Sequence, residues 1–66
     1  MTVEVNGRRR EVAAGETVAS LLARLGLEAG YALVERNGEP LERARYAEVE
    51  LEDSDTLVVA RPVAGG

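Results

Sequence analysis

The sequence contains no cysteine, histidine, lysine, tryptophan or phenylalanine. Without cysteine no disulfide can form, and without cysteine or histidine the usual ligands of a structural zinc are missing. A chain of 66 residues therefore has none of the common staples of small proteins. The same absences leave no thiolate nucleophile, no imidazole base and no Schiff-base amine, so catalysis by this chain's own side chains is not expected. No metal site is expected, and the lack of cysteine is compatible with either redox compartment. No apolar run approaches the roughly 20 residues of a membrane span. The opening Met1-Thr2-Val3-Glu4 has neither a basic nor an apolar leader region, so a soluble, cytoplasmic protein without membrane contact is expected. Positive charge is also scarce: eight arginines stand against twelve acidic residues, for a net charge of -4. A nucleic-acid partner, which calls for a basic face, is not expected.

What is present is a hydrophobic fraction of 45%, mostly valine, leucine and alanine, with Tyr31 and Tyr46 as the only aromatics. One domain spanning 1–66 is the reading, since a second would be too small to fold. Thr2 to Val5 alternates polar and apolar residues, the period of a strand with one buried face. Asn6-Gly7 tolerates the positive φ angles of a type I′ turn and predicts a hairpin to a strand over 8–13. With a two-residue loop, Glu4 faces Arg9, while Arg8, Arg10 and Val12 fall on the face of Val3 and Val5, which leaves a bulge or longer loop open. From Thr17 the period becomes helical, with Val18, Leu21, Leu22 and Leu25 on one stripe. Thr17 is the expected N-cap, Gly26 suits the left-handed position that ends helices, and Leu27 closes the apolar contact.

Tyr31 to Arg36 reads as a strand in a central position, and Asn37-Gly38 as a second turn. Pro40 makes the following residues a poor ladder strand, and 42–47 a loop or short helical turn. Val49 and Leu51, alternating with glutamates, suggest a short exposed edge strand. Asp53-Ser54-Asp55 is turn chemistry, and the strand over 56–61 is the most hydrophobic and central, ending at Pro62. The order predicts an α+β fold: a sheet of strand pairs with one helix packed across a face.

The final Gly65-Gly66 carries the chemistry that remains. A segment without Cβ atoms threads a narrow channel in conformations closed to other residues, and Ala64-Gly65-Gly66 extended reaches about 10 Å. The terminal carboxylate would then be the reacting group, with catalysis supplied by a partner. The bland reading is a frayed tail. Arg8-Arg9-Arg10 reads as a solvated hairpin. The acidic run Glu48, Glu50, Glu52, Asp53 and Asp55 has no calcium-loop spacing and suits a basic docking surface on a partner.

The arrangement resembles the ThiS-type sulfur carriers of the ubiquitin-like β-grasp fold. The resemblance covers nearly the whole chain and rests on Val5-Asn6-Gly7, Gly15-Glu16-Thr17-Val18 with Leu21-Leu22, Val34 to Glu39, Asp53-Ser54-Asp55 where Asp-Gly-Asp is usual, and Val63-Ala64-Gly65-Gly66. Tyr46 stands where the pattern often has Trp, Leu41 follows Pro40 where an arginine is more usual, and Pro62 is reminiscent of the small subunit of molybdopterin synthase. The resemblance implies a mixed sheet of four to five strands, one helix and a flexible C-terminal tail over 63–66. It implies a carrier and not an enzyme: an E1-like adenylyltransferase of ThiF type, using ATP and magnesium, converts the Gly66 carboxylate to an acyl adenylate. Sulfur from a donor such as a cysteine desulfurase then gives a thiocarboxylate. Thiazole synthase of ThiG type receives that sulfur for the thiazole ring of thiamine. Gly65, Ala64 and Val63 would be the tail that enters the partners' channels. Alternatives are a molybdopterin-pathway carrier, another sulfur carrier, or a ubiquitin-like modifier joined to target lysines through Gly66.

Overall fold

Asn6 and Gly7 have φ angles of 50° and 83° and fold the chain back in two residues, as the Asn-Gly pair predicts. In the computed structural model, which describes residues 1–61, this turn joins β1 (Thr2–Val5) to β2 (Arg8–Glu11). The ladder pairs Val5 with Arg8, Glu4 with Arg9 and Val3 with Arg10, without a bulge. Arg8 and Arg10 do share the face of Val3 and Val5. They are nevertheless exposed, because β2 lies at the sheet margin, beyond the reach of the core.

The helix α1 (Val18–Arg24) begins where the period changes. Thr17 caps it reciprocally with Ser20: the Ser20 N–H donates to the Thr17 hydroxyl at 3.1 Å, and the Thr17 N–H donates to the Ser20 hydroxyl at 2.9 Å. At the other end Gly26 has a φ of 76°, with bonds from the Gly26 N–H to the Ala23 carbonyl at 3.0 Å and from the Leu27 N–H to the Leu22 carbonyl at 2.9 Å. This is the paired C-terminal motif that glycine permits. Seven residues would not hold as an isolated helix. Val18, Leu21 and Leu22 are buried on the sheet, and each leucine contributes about 1.5–3 kcal/mol by leaving water.

The rest of the sheet comprises β3 (Leu33–Arg36), β4 (Glu39–Leu41) and β5 (Thr56–Ala60), in the spatial order β2-β1-β5-β3-β4. β5 is central, parallel to β1 and antiparallel to β3. Three expectations are corrected. The short strand is Glu39–Leu41, paired with Val34 to Arg36 despite Pro40, because an edge position tolerates a residue with no N–H to donate. Val49 and Leu51 do not form an exposed strand. They are buried, and the extended contact there is a single bridge between Thr17 and Glu50. The strand predicted from Tyr31 begins only at Leu33; β3 is interior, paired with β5 and β4, but its outer face is uncovered, so Leu33 is 50% exposed, and Tyr31, before the strand, is 68% exposed.

The core lies between α1 and the inner sheet face, where Val3, Val5, Val34 and Leu57 meet the helix, with Tyr46, Val49 and Leu51 closing one side. Tyr46, at the end of a 3₁₀ turn over Arg43–Arg45, is 2% exposed, and its hydroxyl donates to the buried Ala32 carbonyl at 2.9 Å. It is a core residue with a satisfied polar end.

Candidate functional site

β5 leads the chain out of the sheet, and the surrounding elements hold it at both ends. On one side the Asn6 side chain extends β1 beyond its last residue: its amide donates to the Val59 carbonyl at 3.0 Å and its oxygen accepts the Val59 N–H at 2.8 Å. On the other side Asn37 accepts the Thr56 N–H on its side-chain oxygen at 2.9 Å, and its own N–H donates to the Thr56 carbonyl at 2.7 Å. Both Asn-Gly turns thus act twice, as turns and as clamps on the central strand. In the sequence alone they read as turns. The available signal was asparagine at both first positions, since only its amide carries a donor and an acceptor like a peptide group.

The start of β5 is fixed by Asp55, a buried carboxylate in the turn where Ser54 takes a φ of 70°. It accepts the Glu52 N–H at 2.8 Å, the Asn37 amide at 3.0 Å and the Arg36 Nε at 3.0 Å. Burial alone would raise its pKa. The hydrogen bonds from Glu52, Asn37 and Arg36, with the Arg36 charge, outweigh burial and hold it below the usual carboxylate value. Asp55 therefore leaves the acidic docking surface expected over 48–55, whereas Glu48, Glu50, Glu52 and Asp53 remain exposed.

The outer sheet face, opposite α1, carries an apolar patch beside the exit of β5. Leu33 pairs across the ladder with Ala60, and Glu35 with Val58. Val58 is 48% exposed. With Pro40 and Leu41 these residues line a shallow groove of about 310 Å³. These exposed apolar side chains, with Glu35 among them, form the candidate contact surface of the outer face. Val58 and Ala60 of β5 are themselves part of this patch. The tail residues singled out from the sequence, Val63, Ala64, Gly65 and Gly66, lie outside the described residues.

A five-stranded mixed sheet crossed by a single helix, with the last strand central, is the ubiquitin-like β-grasp architecture. Within that class the chain belongs to the ThiS family, whose model matches residues 3–66. It is 44% identical over 50 residues to the sulfur carrier protein ThiS of Bacillus subtilis, covering 76% of each chain. Over all 66 residues it is 36% identical to a thiazole synthase of Paramagnetospirillum magneticum and spans only 20% of that protein. A thiazole synthase of Magnetococcus marinus is 33% identical over the same length, again with 20% of it covered. Among solved structures, the thiamine biosynthesis protein ThiS of Geobacter metallireducens superposes with a TM-score of 0.83 at 35% identity, with all of both chains covered.

Proposed function

We propose that this chain is a sulfur carrier of thiamine biosynthesis, a co-substrate and not an enzyme, whose reacting group is the carboxylate of Gly66. The observation that carries this reading is the family match, which runs through both final glycines. A carboxylate resists nucleophiles, so it needs activation. An E1-like adenylyltransferase of ThiF type, using ATP and magnesium, makes AMP the leaving group, and sulfur from a donor such as a cysteine desulfurase replaces it. The resulting thiocarboxylate is a softer nucleophile, handed to thiazole synthase in the cytoplasm.

The physical features of the chain support this division of labour. Activation is the partner's task, and this chain has no cysteine, histidine or lysine to intercept an activated terminus. The patch of Leu33, Val58 and Ala60 is the docking handle. The six residues beyond Ala60 reach at most about 20 Å, enough for Val63, Ala64 and Gly65 to carry Gly66 into a channel while the sheet stays outside. The two thiazole synthases that match this whole chain support the partner assignment. Carrying such a segment within one polypeptide raises the effective concentration of two modules that must meet.

The test is reconstitution with an adenylyltransferase of ThiF type, ATP, magnesium and a sulfur donor, followed by intact mass spectrometry. The expected product has one oxygen replaced by sulfur, and deletion of Gly66 abolishes it. An unchanged mass with an active partner overturns the proposal, and higher-mass conjugates on a denaturing gel would point to a protein modifier instead.

A further inference from the structure

The proposed function uses the outer sheet face and the chain end. It leaves unexplained the run Arg8-Arg9-Arg10, three consecutive cations in a chain of net charge -4. We propose that the free edge of β2 accepts an extended, acidic segment of a partner protein as an additional strand, docked in the groove between β2 and α1.

The sheet has two edges, and they differ. β4 is three residues long and contains Pro40, which blunts it against further pairing. β2 has four residues, no proline and full exposure. The phase of its backbone follows from the hairpin. Val12 and Met1 exchange hydrogen bonds, the Val12 N–H to the Met1 carbonyl at 2.8 Å and the Met1 amino group to the Val12 carbonyl at 3.1 Å. By the alternation of an antiparallel ladder, Arg8 and Arg10 also bond inward to β1, and the N–H and C=O groups of Arg9 and Glu11 point outward. These are the donors and acceptors that an added strand requires.

Side chains select the occupant. Arg9, Arg10, Glu11, Leu21, Arg24 and Leu25 line a groove of about 330 Å³ between β2 and α1, the Glu11 carboxylate lying 3.9 Å from the Met1 amino group, and Arg8 lies opposite Val5 on the face of Arg10. Arg24 is paired with Glu16. Arg8, Arg9 and Arg10 have no ion-pair partner within 4.0 Å among the described residues. An edge lined with unpaired guanidinium groups repels the same edge of a second copy. It favours a strand whose carboxylates fall opposite Arg8 and Arg10 and whose apolar atoms cover Leu21 and Leu25. The outward peptide groups favour a polypeptide over a nucleic acid, which the remaining surface, with its ten exposed acidic residues, opposes.

The probe is an eight-residue capped peptide alternating glutamate and valine, with a lysine–valine peptide as control, titrated into the isotope-labelled full chain and followed by amide chemical shifts. The expected shifts centre on 8–11 and on α1 near Arg24, with the Arg9 and Glu11 amides gaining protection from exchange. The double variant R8E/R10E should bind about tenfold or more weakly, and binding should weaken as salt rises toward about 0.5 M. Arg9→Pro removes an outward N–H without touching the β1–β2 ladder, and should abolish binding that Arg9→Ala largely keeps. Should R8E/R10E lose its dispersed spectrum, the salt series and the Arg9 pair decide. The proposal is overturned by shifts centred on Leu33 and Val58, by equal affinity for the lysine peptide or by indifference to Arg9→Pro. Concentration-dependent shifts of the β2 amides without peptide, or stronger shifts there with a single-stranded RNA oligonucleotide, overturn it too.

Discussion

Replacing Asp55 by asparagine should destabilise the fold by about 2–3 kcal/mol, the middle of the range for losing one charge-assisted bond and weakening others. The geometry sets the figure. Asparagine keeps the volume and one acceptor, which can still serve the Glu52 N–H and the Arg36 Nε on the side of Oδ2. Its amide must then face the Asn37 amide, donor against donor. Asn37 cannot simply turn over, because its oxygen already accepts the Thr56 N–H at 2.9 Å. A chain of 66 residues has a total stability of roughly 3–10 kcal/mol, so the loss should be plain in a urea titration followed by far-ultraviolet circular dichroism. The melting temperature should fall by about 10–20 °C, at roughly 4–8 °C per kcal/mol. Acid provides an independent check. The Asp55 pKa is lowered from its ordinary 3.8 in the folded state, so its contribution is fully present above the unfolded value and is lost as pH falls through the folded one. The gap between the native chain and the variant should be constant near neutrality, narrow below about pH 4, and close once the native carboxylate is protonated. A gap below about 0.5 kcal/mol at pH 7, within the scatter of ordinary surface substitutions, would refute the reasoning. So would a gap undiminished by acid.

Three further outcomes test other parts of the structure. Asn6→Gly keeps the positive φ of the turn and removes both bonds to Val59; stability should fall by about 1 kcal/mol, and hydrogen exchange at Val59 should accelerate more than at Leu57. Tyr46→Phe leaves the fully buried Ala32 carbonyl without its donor and should cost about 1–2 kcal/mol by denaturant titration. Val58→Lys, on the exposed face opposite Glu35, should change the midpoint of unfolding little yet reduce thiocarboxylate formation about tenfold or more, by placing a charge in the docking patch. Normal sulfur loading by that variant would remove the patch from the account.

The elements that depend on neighbouring residues were legible in the sequence. Asn6-Gly7 and Gly26 are required by the positive φ angles they adopt, and the stripe of Val18, Leu21 and Leu22 has one period that buries it. Thr17 caps its helix through atoms three residues away. What failed depends on distant partners. Val49 and Leu51 alternate with glutamates as an edge strand would, but their burial comes from lying beside α1, where the Val18 N–H bonds the Val49 carbonyl at 3.0 Å. Pro40 argues against a strand until the topology places it at a margin. The exposure of Leu33 and Val58 is not legible in the sequence, because composition does not say which face of the sheet the helix covers. The carboxylate of Gly66 is proposed from the sequence, by the absence of cysteine, histidine and lysine, and lies outside the described residues. The patch and the Asn6 clamp that would present it were not legible, because each is built from segments about 25 or more residues apart that meet only when β5 inserts between β1 and β3.

The proposed function requires that sulfur be carried on the carboxylate of Gly66. Fragmentation of the intact, sulfur-loaded chain in the mass spectrometer tests this directly. The exchange of one oxygen for sulfur should reside wholly in the smallest C-terminal fragment, the one containing Gly66 alone. Sulfur retained on fragments lacking Gly66, or loading that persists after Gly66 is deleted, would contradict it.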